Sequence, residues 1–457
     1  MESIEIKQPE NKMGTMPISR LLISMAIPMM IAMLFQSLYN IVDSIFVARL
    51  GENALAAVTL AFPLQMVMLQ VGVGTGVGVN ALLSKSLGER NFERVHKSAL
   101  HGLFLAALSA AVCVLIGFWG VDFYFQTQTA DPQILQYGRD YTVPLCFFAV
   151  TLFGQVTLER LLMSTGKTSY QMLSQIAGAL TNIILDPIMI FGLCGFPRLE
   201  VTGAALATII GECVACALAL YFNLRKNHEI NFSLKGFRPD RAIIRAIYRV
   251  GLPSILMASL GSVMVYGLNR ILIGFSATAV AALGVYFRLQ SFIFMPVFGL
   301  NNALVPIVAY NFGARNKARI LRAIELGILY ALGIMLCGSL IFQVFPEQLL
   351  GWFNAGAEML RIGIPALQII SLHFAFASVC IVMISVFQAL GRGIESLILA
   401  FARQILVLLP AAWLLSLTGR VTAIWWAFPI AECAAMACAL GFFYRAYQRK
   451  IKPLEQD

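Results

Sequence analysis

The sequence predicts an all-α polytopic membrane protein: twelve transmembrane helices in two six-helix lobes, related by a pseudo-two-fold axis along the membrane normal. Three observations carry this. The 457 residues are 59% hydrophobic and only 12% charged, where a soluble domain carries roughly 25% charged residues. So much apolar surface needs lipid as its solvent. The chain is also written twice, at a fixed spacing of 225 residues: Ala26-Ile27-Pro28 returns as Gly251-Leu252-Pro253, and Ala56-Ala57-Val58 as Ala281-Ala282-Leu283. Leu64-Gln65 returns as Leu289-Gln290, and Gly88-Glu89-Arg90-Asn91 as Gly313-Ala314-Arg315-Asn316. Finally, twelve stretches reach the ~20 mostly apolar residues that a crossing needs, six in each repeat.

The first-lobe segments run at about 18–48, 53–84, 95–120, 132–162, 168–193 and 201–224. Those of the second lobe run at about 242–274, 278–309, 319–345, 359–389, 394–417 and 421–446. A polar tail of mixed charge, 1–17, precedes them, and the first apolar segment is too long for a signal h-region, so no cleavable leader is expected. The stretch 225–241, with Gly236 and Pro239, is the linker between lobes, and 447–457 is a second tail. Six crossings return the chain to its starting side, so the lobes are parallel repeats. Repeated lobes of this kind place a transport site near the bilayer midplane.

Charge gives the orientation. One alternate set of loops and tails holds 25 Lys and Arg, among them Lys85, Arg90, Arg160, Arg315 and Arg319; the other set holds five. Positive charge stays in the cytoplasm, so both termini are expected there, in the plasma (inner) membrane. The net charge of +10 is then a topology signal and an affinity for anionic lipid, not a nucleic-acid patch, because the charges are dispersed over short loops. Nine cysteines fall mostly inside apolar segments, and Cys213-x-x-Cys216 reads as helix packing rather than a redox pair. No cofactor is expected, and nothing calls for a stable oligomer, so a monomer is expected.

Acids inside the membrane are the sharpest clue, since each costs at least ~2.5 kcal/mol at the midplane. Asp43 lies in Gln36-Ser-Leu-Tyr39-Asn40-Ile-Val-Asp43 of the first segment, where Gln36 and Tyr39 share its face. Asp186 lies in Asn182-Ile-Ile-Leu-Asp186-Pro187 of the fifth, with Asn182 one turn before it, and Thr208 of the sixth offers a hydroxyl. The repeat is an internal control. Asp43 maps to Leu268, Asn182 to Val407, and Asp186 to Ala411, or to Leu409 if the prolines are matched. The acids are therefore an addition to one lobe and not a demand of the fold. Carboxylates, an amide and hydroxyls in low dielectric suit either Na⁺, through hard oxygen ligands, or proton exchange, because a carboxylate buried beside a like charge takes up a proton more readily. For a bound Na⁺ the expected ligands are Asp43, Asn182 and Asp186. The structural alternatives are an Asp43–Arg49 pair near the aqueous end and a capping role for Asp186 at a Pro-broken helix end.

Pro28, about four turns before Asp43, is a candidate hinge because proline removes a helix hydrogen bond. The alternating glycines 72, 74, 76 and 78 read as close helix packing. Candidate cavity residues are Gln36, Gln65, Met66, Phe287 and Arg288, within a lining rich in Met and Phe. Glu159, beside Arg160, reads as an ion pair at the cytoplasmic end of the fourth segment.

These residues resemble a known family. Pro28 with Leu-Tyr-Asn-Ile-Val-Asp43, Phe46-Val-Ala-Arg-Leu-Gly51, Asn182-Ile-Ile-Leu-Asp186-Pro187, Gly203-Ala-Ala-Leu-Ala-Thr208 and Gln388-Ala-Leu-Gly391-Arg392 together look like the multidrug and toxic compound extrusion (MATE) family, over essentially the whole chain. The resemblance implies two six-helix lobes around a central cavity, and export of bulky, often cationic compounds in exchange for H⁺ or Na⁺. The chain looks like the DinF-like branch, in which a first-lobe cation site would comprise Asp43, Asn182, Asp186 and Thr208, supported by Tyr39 and by a fourth-segment tyrosine, Tyr141 or Tyr137. The NorM-like branch places acids in the second lobe, where segments 7, 8 and 10 carry none in their apolar stretches.

The expected function is a cation-coupled antiporter for organic, often cationic, drugs or metabolites. The alternatives are a flippase for a lipid-linked precursor and an exporter of one metabolite. An enzyme is not expected: there is no Asp-rich diphosphate motif, no metal-ligand histidine spacing and no nucleophile motif.

Overall fold

The computed structural model describes residues 11–233, 235–353 and 355–455. The tail positions 1–10 and 456–457, Lys7 among them, lie outside the described residues. No strand occurs among the described residues. The first six membrane helices are α1 Ile18–Ala48, α2 Glu52–Gly88, α3 Phe92–Gln128, α4 Pro132–Phe147 continuing as Ala149–Ser164, α5 Thr168–Phe191 and α6 Glu200–Lys226. The second six are α7 Arg241–Leu272, α8 Ala277–Gly313, α9 Lys317–Val344, α10 Ala357–Ser371 continuing as Phe374–Ala389, α11 Gly393–Ser416 and α12 Val421–Leu454. Ten are long and apolar enough to span, and α4 and α10 complete twelve, bent by 50° and 51° at their breaks. The sequence assigned every span. It missed the bends, and it stopped α3 and α12 eight residues short, because both helices carry polar residues beyond their apolar stretch.

The repeat reappears as geometry. Asn91 caps α3 by accepting from the Arg94 N–H at 2.9 Å, and Asn316 caps α9 by accepting from the Arg319 N–H at 3.1 Å. The preceding residues, Arg90 and Arg315, are both left-handed, at φ 55° and 54°. The lobes themselves meet in exchanged pairs. A Cβ on Gly88 would sit 1.9 Å from the Tyr310 carbonyl oxygen, and one on Gly313 would sit 2.0 Å from that of Lys85. A Cβ on Gly74 would meet the Ile255 nitrogen at 2.9 Å, and one on Gly299 the Met30 nitrogen at 3.0 Å. Each contact maps onto its mate by 225 residues, as a pseudo-two-fold requires. The alternating glycines divide the work: Gly74 and Gly78 admit α7 of the other lobe, and Gly72 and Gly76 admit α4 of their own.

Burial shows where the lobes join. One continuous apolar cluster runs through the second lobe and into the first at the end carrying Lys85 and Arg319, hereafter the basic end; Leu21, Leu83 and Leu161 of the first lobe belong to it with Leu304 and Ile307 of the second. The opposite half of the first lobe has a separate cluster, with Val47, Phe125, Tyr141, Phe153 and Ile190. The chain start also clamps the basic end. The Asn11 amide donates to the Thr165 carbonyl and to Glu229, both at 3.0 Å. Arg319 donates to the carbonyls of Met13 at 2.9 Å and Met16 at 2.7 Å. The segment 11–16 thus ties both lobes together.

Candidate functional site

α5 and α6 approach until backbone meets backbone. A Cβ on Gly178 would lie 2.8 Å from the Gly211 carbonyl oxygen, and one on Gly203 would lie 2.5 Å from that of Met189. This contact brings Asn182 onto Thr208. With its amide turned to satisfy its neighbours, Asn182 donates to Asp186 Oδ2 at 3.2 Å, while its oxygen accepts from Thr208 Oγ1 and from the Thr208 N–H, each at 3.2 Å. Asp186 is fully buried and Asn182 nearly so. α5 ends soon afterwards at Gly192, whose φ of 73° lets its N–H reach back to the Ile188 carbonyl.

α1 packs against α5 and brings Asp43 within electrostatic reach of Asp186. Asp43 does not pair with Arg49, whose guanidinium lies over the Phe46 ring at 5.7 Å. Instead, Asp43 Oδ1 is buried without a hydrogen-bond partner. Tyr141 is buried and accepts from Gln65 Nε2 at 3.2 Å, within the field of both aspartates. Tyr137 donates to Glu200 at 3.2 Å instead, so of the two fourth-segment tyrosines Tyr141 is the one beside the aspartates. The structure therefore gathers Asp43, Asn182, Asp186, Thr208, Tyr39 and Tyr141 in the first lobe. Pro28 is buried within an unbroken α1.

Beside this cluster lies a cavity of 760 Å³ between the lobes. Tyr39, Asn182 and Thr208 form part of its wall, so they link the aspartates to it. The first-lobe wall carries polar groups, Gln36, Gln155, Glu159, Gln171, Gln175 and Glu212, among apolar ones such as Met33 and Val73. The second-lobe wall includes Met257, Met264, Phe287, Phe294 and Phe298.

Four sequence expectations need correction. Arg288 is exposed and outside the cavity: neighbours on a helix point about 100° apart, and Phe287 takes the inward position. Gln65 and Met66 are also off the lining. The α2 residues that line it are Leu69, Gln70, Val73, Val77 and Asn80, so Gln65 and Met66 lie one turn beyond the cavity's end. Glu159 is not in an ion pair at a helix end. It is 8% exposed in the cavity wall and accepts from Gln155 at 3.2 Å and Ser174 at 3.3 Å. Arg160, counted above as a loop charge, also lines the cavity and donates to Asn302 at 3.1 Å.

Sequence reasoning passed over Glu212, an acid in the middle of apolar α6, which accepts from Thr151 Oγ1 at 2.7 Å. The signal was the one that marked Asp43, an acid inside a span. It also passed over Glu432, 4% exposed, which pairs with cavity-lining Arg403 at 3.0 Å.

A family model described as MatE matches residues 28–188 and 253–414, two matches that begin 225 residues apart. A multidrug export protein MepA of Staphylococcus saprophyticus is 27% identical over 92% of both chains. A FAD transporter of Shewanella oneidensis is 26% identical over 96% of both. A solved structure described as the outward-facing conformation of a multidrug resistance MATE family transporter of the MOP superfamily superposes with TM-score 0.89 at 26% identity, over 99% of this chain and 100% of that one.

Proposed function

We propose, from the premise that this chain belongs to the MatE family, that it is an antiporter exporting organic, often cationic, compounds from the cytoplasm in exchange for H⁺ or Na⁺. It would do so in the plasma membrane, with both termini and the basic end cytoplasmic and the chain working as a monomer. The lobes it moves are 18–224 and 242–446, joined by the linker 225–241. The observation that carries this reading is the unpartnered buried oxygen of Asp43 beside the Asn182–Asp186–Thr208 network, one wall away from a cavity of drug size.

The donors suit either cation. Asp43, Asp186, the Asn182 carbonyl and the Thr208 hydroxyl are the hard oxygens Na⁺ prefers, and the two carboxylates can share a proton instead. In either case the cation must favour one lobe arrangement over the other, or it drives nothing. Tyr39, Asn182 and Thr208 belong to both sites, so filling the cation site rearranges the cavity wall and expels the drug. Closure of the basic end by the glycine seam leaves that expulsion one direction, outward. Pro28 is the place where α1 bends most cheaply, since the bond to residue 24 is already missing.

A second reading has one observation in its favour: Arg160 in the cavity wall is a cation for a phosphate group, as an exporter of one anionic metabolite requires, and a relative is described as a FAD transporter. Proteoliposomes separate the two readings. Under an imposed pH or Na⁺ gradient, ethidium efflux should exceed the ungradiented rate by at least about tenfold, with FAD unmoved. Gradient-driven FAD efflux with no ethidium efflux would establish the second reading.

A further inference from the structure

The proposed antiport does not use Glu159 and Glu212. Both line the cavity, and neither makes an ion pair among the described residues. Thr151, Gln155 and Glu159 succeed one another at four-residue spacing on one face of α4. Thr151 holds Glu212, so the carboxylates are stationed at levels two turns apart, about 12 Å along the helix. Neither of the cavity's two arginines is within salt-bridge distance of these acids, although the charge of Arg160 acts on its neighbour Glu159. Arg403 is committed to Glu432, and Arg160 is turned across to Asn302 of the second lobe.

Unused acceptors accompany the acids. Gln171 donates to Gln175 at 2.6 Å and is within hydrogen-bond reach of Glu159, but its Oε1 has no partner at 5% exposure. Asn301 Oδ1, 6% exposed in the facing wall, has none either. A buried acceptor without a donor costs free energy, and both residues line the cavity, so a small rotation of either amide toward a ligand N–H would satisfy its oxygen.

We propose that Glu212 and Glu159 form a two-point recognition site for organic dications, bearing two protonated amines about two helical turns apart joined by an apolar body. The amines take Glu212, which Thr151 holds in place, at one level, and Glu159 with Gln171 at the other. The body lies on Phe287 and Phe294 of the opposite wall. This rests on the antiporter reading for its setting and names the substrate class that reading leaves open.

The test is equilibrium binding to the purified full chain, with no gradient present. The probes are N,N′-dibenzyl-1,8-octanediamine and its single-amine counterpart N-benzyloctylamine. The wild type should bind the diamine about 10- to 100-fold more tightly. Glu159→Gln and Glu212→Gln should each bring that ratio to within about threefold, and Glu159→Asp should keep most of it. Where Glu212→Gln does not fold, Thr151→Val, which frees Glu212, should lower the ratio in the same direction. A wild-type ratio near one, or a ratio unchanged by these substitutions, overturns the proposal. If that happens while ethidium efflux persists, only the dication site fails. If efflux is absent and the ratio holds, the antiporter reading fails and the site stands.

Discussion

Gly88→Ala and Gly313→Ala should each cut gradient-driven efflux by about five- to 150-fold while the lobes remain folded. The added methyl would sit 1.9 Å from the Tyr310 oxygen in one case and 2.0 Å from the Lys85 oxygen in the other. Neither neighbour is a side chain that can swing away; both are backbone of a facing helix. Overpacking of this kind costs typically about 1–3 kcal/mol, and here it falls on the seam that closes the basic end and on nothing within a lobe. Helix propensity acts in the other direction, since alanine is better than glycine by about 1 kcal/mol in a helix. The lobes themselves should therefore hold. Gly261→Ala, where the methyl meets nothing within 4 Å, is the control and should leave efflux unchanged. Equal loss in all three variants, measured as initial ethidium efflux per folded transporter, would place the effect in helix substitution generally and not in the seam.

Glu432→Gln should lower stability by about 3–5 kcal/mol. Glu432 and Arg403 pair at 3.0 Å with both side chains largely buried. Arg403 sits at the start of a π-helical stretch, Ala402–Leu408, whose wider turn is part of α11. Removing the acid leaves a guanidinium without its counter-charge in a membrane interior, and that orphan, more than the lost bond, carries the cost. The double substitution Arg403→Met with Glu432→Leu removes both charges and should recover most of the loss. Thermal unfolding in detergent reads both. A double variant no more stable than Glu432→Gln would show that the pair matters through packing and not through charge.

The sequence carried the architecture further than the cavity, for a physical reason. Span length and the 225-residue repeat are properties of the chain, so the twelve helices and the equivalence of Gly88 with Gly313 follow from reading along it, while the contacts those glycines make across the lobes do not. The cluster of Asp43, Asn182, Asp186 and Thr208 was legible because each residue violates the apolar rule of its own helix. Cavity membership depends on azimuth and depth together. Phe287 faces in and Arg288 faces out, one residue apart, and no pattern of composition fixes that rotation. Gln65 has the right azimuth at the wrong depth. Glu159 precedes Arg160 near the end of α4, where a sequence suggests a terminal ion pair, but the bonds from Gln155 and Ser174 hold it in the cavity wall. Glu212 and Glu432 carry the same signal as Asp186, an acid inside an apolar span.

In the proposed mechanism the first-lobe carboxylates couple cation entry to export. Asp43→Asn tests it most directly, with ethidium binding measured in detergent and ethidium efflux measured in proteoliposomes under whichever gradient drives the wild type. Binding should stay within about threefold of wild type, because Asp43 lies outside the cavity wall, and gradient-driven efflux should fall by at least about tenfold. Efflux at the wild-type rate under the same gradient would contradict the mechanism and move the coupling site away from Asp43.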